Sequence, residues 1–329
     1  MRYRTLGLTE WKISEVSLGT WQVGGRWGEP FDETRAAHIL HTAIDNGINF
    51  IDTADVYGDG GRESERIVGK VIRERTERIY IATKIGRRLD PHTAAGYNRE
   101  NLTKFVEEAL QNTGMEALDL VQLHCPPGAV YDQEEAFETM EDLKKQGKIL
   151  HYGVSVEKVS EALKAIERPG LATVQIIFNL MRLKPAEEFF AAAKSKRKGI
   201  IVRVPLASGL LTGKFDENSQ FDEGDHRHFN RNGEAFDKGE TFSGVPYKLG
   251  LEAVTEYKRL LGEKFLPELA LRWILMFGEV SCVIPGASRE EHLLRNIRAS
   301  EVPALPKMAM EELQEVYDQY LREIIHPQW

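Results

Sequence analysis

Short apolar runs alternate with longer amphipathic stretches along almost the whole of this chain, and that rhythm limits its fold more than any other feature. Runs of strand length fall at 17–20, 49–53, 79–84, 118–124, 150–155, 173–179, 199–205 and 280–285. Between them, apolar residues recur at helical spacing over 32–46, 63–75, 99–113, 133–146, 156–167, 185–198, 250–261 with 266–277, and 289–300; a further helix is expected at 307–324. Strict strand–helix alternation implies parallel strands, because a parallel pair needs a crossover connection. Eight such units predict an α/β fold, a closed (β/α)8 TIM barrel formed by residues 1–329 as a single domain. A doubly wound sheet would carry a glycine fingerprint after its first strand. Here that strand runs into Gly19-Thr20-Trp21-Gln22-Val23-Gly24-Gly25, which does not match it. Two alternating runs, 2–8 and 12–16, predict a β-hairpin ahead of the barrel.

One connection breaks the rhythm. Between Pro205 and Gly250 lies a long loop rich in Asp, Glu, Asn, Gly and His. It is either a solvated insertion or a lid; its place after strand seven, at the face where barrel active sites form, favours the lid. His226-Arg227-His228 within it has no neighbouring Cys and no third spaced His, so it reads as solvated loop and no metal is expected.

Composition excludes several functions. Lys and Arg number 43 against 51 Asp and Glu, a net charge of −8. Nucleic-acid binding calls for a basic face, so none is expected. No apolar run approaches transmembrane length, and Met1-Arg2-Tyr3-Arg4-Thr5 leads into no apolar signal core. Cys125 and Cys282 are too few for a disulfide scaffold. The expectation is a cytoplasmic protein acting on a small molecule, with no membrane partner. Oligomeric state is not legible, nor is the role of His326-Pro327-Gln328-Trp329, whose tryptophan could cap the mouth, pack on the wall or fray.

Active sites of such barrels form at the C-terminal strand ends. Asp52 and then Tyr57 follow strand two, Lys84 ends strand three and His124 ends strand four. Singly, each has a plain explanation: a helix cap, a half-buried tyrosine, a snorkelling lysine, a core histidine. Together at one mouth they make a proton donor aimed at a carbonyl oxygen. A tyrosine with pKa of roughly 10 is a feeble acid, and a neighbouring ammonium lowers that value. The buried lysine needs a partner, which Asp52 supplies. His124 can hold a carbonyl near the phenol. The missing nucleophile is naturally a hydride.

These residues lie in stretches that resemble the aldo-keto reductase superfamily. They are Gly47-Ile48-Asn49-Phe50-Ile51-Asp52-Thr53-Ala54-Asp55-Val56-Tyr57-Gly58 with Glu63-Ser64-Glu65-Arg66-Ile67-Val68-Gly69, then Ile81-Ala82-Thr83-Lys84 and Leu118-Asp119-Leu120-Val121-Gln122-Leu123-His124. Gly153-Val154-Ser155, Val174-Gln175, Phe178-Asn179-Leu180, Pro205-Leu206-Ala207-Ser208-Gly209-Leu210-Leu211-Thr212-Gly213-Lys214 and Ile284-Pro285-Gly286-Ala287-Ser288 follow in family order. The last two stretches are closer to bacterial and potassium-channel β-subunit-like members than to mammalian aldose reductase. The resemblance implies a catalytic tetrad of Asp52, Tyr57, Lys84 and His124, with Tyr57 as general acid. It implies NADPH (NADP+), with NADH less favoured, held without a Rossmann fold. Ser155 and Gln175 match carboxamide-binding positions. Pro205, Leu206, Ser208, Gly209 and Leu211 with Lys214 match the pyrophosphate loop, while Gly286, Ser288, Arg289, His292 and Asn296 match the adenosine segment. Thr20 and Trp21 are expected at the cofactor, and Trp21, Trp27, Tyr57 and His124 at the substrate pocket. A helix opened by Ser288-Arg289 would attract an anion, such as the 2′-phosphate that marks NADP.

Three positions depart from the family pattern. Val156 stands where many members have Asn, Arg203 where many have an aromatic residue stacked on the nicotinamide, and Arg295 where several have an adenine-binding Glu. The Arg203 guanidinium is expected to stack on the nicotinamide or bond its amide. The leading expectation is an NADPH-dependent reductase of aldehydes and ketones. Its alternatives are a redox-sensing regulatory subunit resembling channel β subunits, and a barrel hydrolase or isomerase.

Overall fold

The computed structural model describes residues 1–25, 31–58, 60 and 62–329. An antiparallel hairpin of β1 (Tyr3–Thr5) and β2 (Lys12–Ser14) comes first. Eight parallel strands follow, ordered in the sheet as in the chain: β3 (Leu18–Gly19), β4 (Phe50–Asp52), β5 (Tyr80–Ile85), β6 (Leu118–His124), β7 (Ile149–Ser155), β8 (Thr173–Ile177), β9 (Gly199–Arg203) and β10 (Val280–Val283). Parallel bridges Val16–Val283 and Gly19–Gly286 bring the last strand back to the first, so the barrel closes. The Ser17 N–H donates to the Val283 carbonyl at 2.9 Å across that seam. A Cβ on Gly19 would lie 2.7 Å from the Ile284 carbonyl oxygen, so the close approach there requires glycine.

The helices are α1 (Glu33–Asp45), α2 (Glu63–Arg73), α3 (Arg99–Thr113), α4 (Glu134–Lys145), α5 (Val159–Ala165), α6 (Lys184–Glu188), α7 (Phe190–Ser195), α8 (His226–Phe229), α9 (Tyr247–Leu261), α10 (Leu266–Ile274), α11 (Glu290–Arg298), α12 (Lys307–Tyr320) and α13 (Arg322–Ile325). Two stretches expected as single helices are each broken at a buried apolar residue. Phe189 separates α6 from α7, and Leu321 separates α12 from α13. The helix expected over 156–167 starts three residues late. There the Glu161 carboxylate accepts from the Glu157 and Lys158 N–H groups, both at 3.0 Å, and caps it. The hairpin strands are shorter than their alternating runs, because Gly7–Thr9 forms a 3-10 turn between them.

Strand alternation sorts the side chains. Ile51, Ile81, Val121, Val154, Val174 and Val202 point outward and pack with the helices. Inward, at the N-terminal end, Phe50, Ala82, Leu120, Ile201 and Cys282 form a plug sealed by Leu6 and Ile13 of the hairpin region. Two residues further along the same strands, the inward positions are Asp52, Lys84, Gln122 and Arg203, with Gln175 contributed by β8. One period therefore gives an apolar floor and a polar mouth. The segment between β9 and α9 lies over that mouth and carries α8 and the short 3-10 turns Ala207–Thr212, Lys238–Glu240 and Phe242–Gly244.

Candidate active site

Lys84 is the hub of the mouth. Its Nζ donates to Asp52 Oδ1 at 2.5 Å, to the Thr53 carbonyl at 2.9 Å and to the Tyr57 hydroxyl at 3.1 Å, so all three ammonium protons are committed. The phenol oxygen accepts from the ammonium, which leaves the Tyr57 hydrogen free to point outward. Asp52 Oδ2 accepts from Gln175 Nε2 at 2.8 Å and from Gln122 Nε2 at 3.3 Å. These amides fix the carboxylate without adding charge. Burial opposes the Lys84 charge, but Asp52 and Tyr57 outweigh it and hold its pKa above the ordinary value. Tyr57 does not follow the expectation of a lowered pKa. Burial is its largest influence and raises it; Lys84 opposes that without overcoming it, and the net shift is upward. The phenol is therefore held protonated, ready to give up its proton rather than already ionised.

His124 is buried, with its ring 6.1 Å from that of Tyr57 and nearly perpendicular to it. Burial, then Arg87, Lys84 and Arg203, push its pKa well below the ordinary value. A neutral imidazole results, one nitrogen a donor and the other an acceptor. Its Nδ1 is buried and has no hydrogen-bond partner among the described residues.

The other expected positions divide. Ser155 lies beside Gln175 in register, both buried at the strand ends. The Gln175 amide nitrogen is committed to Asp52 and, at 3.4 Å, to Gln122, so only its carbonyl oxygen is left for a carboxamide. The Thr20 hydroxyl donates to the Asp52 carbonyl at 2.9 Å and lies 2.7 Å from Ser64 Oγ. This hydroxyl braces β4. Trp21 is half-buried, its ring edge-on to His226 at 4.6 Å. His226 is correspondingly buried, which corrects the solvated-loop reading for that residue; His228 is exposed. Trp27 lies outside the described residues.

In the 205–211 turn, Ala207, Ser208 and Gly209 have φ of 48°, 53° and 97°. The Ala207 N–H donates to the Val204 carbonyl at 3.0 Å and the Gly209 N–H to the Leu206 carbonyl at 2.9 Å, so the turn folds back on itself. Pro205 and Leu211 have buried side chains, and Leu206 is half-buried. Ser208 Oγ donates to the Glu240 carbonyl at 3.0 Å and accepts from the Phe242 N–H at 3.1 Å, so its side chain ties down the loop rather than facing a ligand. Exposed Lys214 and Arg289, the residue before α11, are close enough to His292 to depress its pKa further after burial has lowered it. Ser288 is buried beside them, and Asn296 Nδ2 donates to the Gly286 carbonyl at 3.2 Å, bracing that turn. Positive groups thus gather at a helix N-terminus. Arg295 does not join them as a ligand: Nε lies 2.9 Å from Glu268 Oε2, and Nη2 donates to the Lys264 carbonyl.

The structure adds a second cluster that sequence reasoning missed. Arg203 Nη2 lies 2.9 Å from Glu157 Oε2 and donates to the Val156 carbonyl at 3.0 Å. Glu240 pairs with Arg87 at 2.8 Å and with Arg203 at 3.6 Å. Burial, tempered by Arg203 and reinforced by Glu240, pushes the Glu157 carboxyl up to about 8. Burial also acts against Glu240, but Arg87 and Arg203 prevail and hold it down at about 2. Arg87, two residues past the end of β5, carried a usable signal as a cation at a strand end. Glu240 carried none, because its place depends on the path of a long loop.

With this geometry in hand, the comparisons are direct. The profile of the Aldo/keto reductase family matches residues 15–318. The "Uncharacterized oxidoreductase YqkF" of Bacillus subtilis is 31% identical over 95% of this chain and 96% of its own length. The "Probable voltage-gated potassium channel subunit beta" of Arabidopsis thaliana is 29% identical over 96% of each chain. Among solved structures, the glycerol dehydrogenase AKR11B4 of Gluconobacter oxydans superposes with a TM-score of 0.79 at 26% identity, covering 99% of this chain and 98% of its own.

Proposed function

This chain belongs to the aldo/keto reductase family, a family of oxidoreductases, and from that premise we propose that it is an NADPH-dependent reductase of aldehydes and ketones. The observation that carries the reading is the Lys84 ammonium, held between the Asp52 carboxylate and the Tyr57 hydroxyl and leaving the phenolic hydrogen unengaged. The orphaned His124 Nδ1 and the cations around α11 are the features that fit a carbonyl and a phosphorylated dinucleotide.

NADPH would lie along the 205–211 turn toward Lys214, Arg289 and His292, and when bound it supplies the hydride for the carbonyl carbon. His124, neutral, donates one hydrogen bond to the carbonyl oxygen and orients it. Tyr57 gives its proton to that oxygen as negative charge develops there. Lys84 stabilises the phenolate left behind, and Asp52 keeps Lys84 charged and in place. Arg203, oriented by the Val156 carbonyl and Glu157, would stack on the nicotinamide or bond its amide in place of an aromatic ring. Arg203→Ala checks that role; unchanged cofactor affinity and turnover would remove it.

The test of the whole reading is NADPH titration followed by addition of an activated aromatic aldehyde, with NADH in parallel. Binding of NADPH by wild type and Tyr57→Phe, with turnover only in wild type, is the expected outcome. The likeness to the plant channel β subunit supports a second reading, a nucleotide-binding redox sensor. Slow release of oxidised cofactor with no turnover across an aldehyde panel would favour it.

A further inference from the structure

Arg87 and Arg203 reach the mouth from the ends of β5 and β9. Both act on His124, and the carboxylate that bridges them, Glu240, acts on Tyr57. An anion therefore sits between two guanidinium groups next to the proposed proton donor, and it comes from the loop that covers the site. Guanidinium pairs of this kind match the flat, two-oxygen shape of a carboxylate.

The charge in this corner does not balance. Three guanidinium groups, of Arg87, Arg203 and Arg182, meet two carboxylates, Glu157 and Glu240, and burial pushes the Glu157 carboxyl up, toward its neutral form. Arg182 stands beside Glu157 and Arg203, its guanidinium stacked on Trp329 at 4.4 Å. Arg203 Nε and Arg182 Nε and Nη1 are buried with no hydrogen-bond partner among the described residues. Cys125 Sγ and the two carboxylates lie within 4.8 Å of one another, but guanidinium groups already engage both acids, which makes them poor cation ligands.

We propose that the substrate is an aldehyde or ketone that carries a carboxylate, and that this carboxylate takes the seat between Arg87 and Arg203 that Glu240 holds when the loop is down. The inference rests on the reductase reading and sharpens it. Arg87 is then a specificity residue, selecting the far end of the substrate while Tyr57 and His124 handle its carbonyl. Glu240 is a placeholder that keeps the two arginines paired between turnovers, since leaving them unpaired in a buried corner is costly.

The experiment compares 4-formylbenzoate with its neutral methyl ester, two aldehydes alike except for one charge. In wild type, kcat/KM should favour the carboxylate by about tenfold or more, the size of one charge-assisted hydrogen bond. Arg87→Met should bring the two near parity, Arg87→Lys should restore part of the preference, and Glu240→Gln should enlarge it. An ester reduced as well as the carboxylate by wild type, or a ratio unmoved by Arg87→Met, would overturn the proposal and leave the reductase reading standing. If neither aldehyde is reduced, the reductase reading is what fails. Calorimetric binding of benzoate against benzamide, with NADP+ present, then decides the seat. Loss of benzoate affinity alone in Arg87→Met supports it, and equal affinity for both ligands in wild type removes it.

Discussion

Two charged clusters share the barrel mouth, and they are held in different ways. In the Asp52–Lys84–Tyr57 cluster, two members sit on adjacent strands, and Tyr57 follows within a short turn. In the Arg87–Arg203–Glu157–Glu240 cluster, three members sit at or just past strand ends, but the fourth arrives on a loop. The first is fixed by sheet register. The second exists only while the loop lies on the mouth, where Ser208 Oγ, the contact of His226 with Trp21, and Trp329 hold it. Chemistry common to many substrates belongs on the rigid strands, and selection of a particular substrate suits a loop.

The comparison can be broken most forcefully at Lys84. Lys84→Met leaves Asp52 buried without its cation and should cost about 3–5 kcal/mol of stability as well as turnover. Asp52→Asn added to it should restore much of the stability but none of the turnover; urea midpoints and steady-state rates read the two effects. Tyr57→Phe should lower kcat by about 10²–10⁴-fold with the fold and cofactor binding intact. A smaller loss would mean that another group donates the proton.

The second cluster should respond to changes in its loop. Trp329 is buried, its indole N–H donating to Asp237 Oδ1 at 2.9 Å and its ring packed against Gly244. Trp329→Ala should cost about 3 kcal/mol or less, toward the low end for a buried aromatic, because part of the site can collapse. Protease cleavage within the loop should rise while the Lys84 cluster keeps its proton donor. The same corner also carries a pH effect. Glu157 is raised from 4.5 to about 8, so the folded state holds a proton that the unfolded chain releases. Stability from this group is fully present below about 4.5 and is lost as pH rises toward 8. Urea midpoints of wild type should therefore fall relative to Glu157→Gln between pH 5 and 8 and stay parallel above that.

Much of this was legible in the chain. Strand and helix periods pointed to eight β/α units, and a polar residue at an inward strand end identified Asp52, Lys84 and His124. The breaks at Phe189 and Leu321 were not legible, because apolar periodicity continues through a residue whose backbone leaves the helix to reach the core. The lowered Tyr57 pKa expected from Lys84 alone failed for a related reason: desolvation depends on everything packed around the phenol, not on its neighbour. Thr20 lay in the right segment, but its hydroxyl turned inward to Asp52 and Ser64.

By itself the sequence determined the barrel and the meeting of Asp52, Tyr57, Lys84 and His124 at one end of it, because each follows from local period and from position along a strand. Only the tertiary structure decided that Glu240 and Arg87 meet, that His226 is buried against Trp21 and that Trp329 closes over the loop. Those contacts join residues from unrelated parts of the chain. Their partners are chosen by loop path and by the cost of leaving a buried charge unpaired, and neither is written in the residues taken one segment at a time.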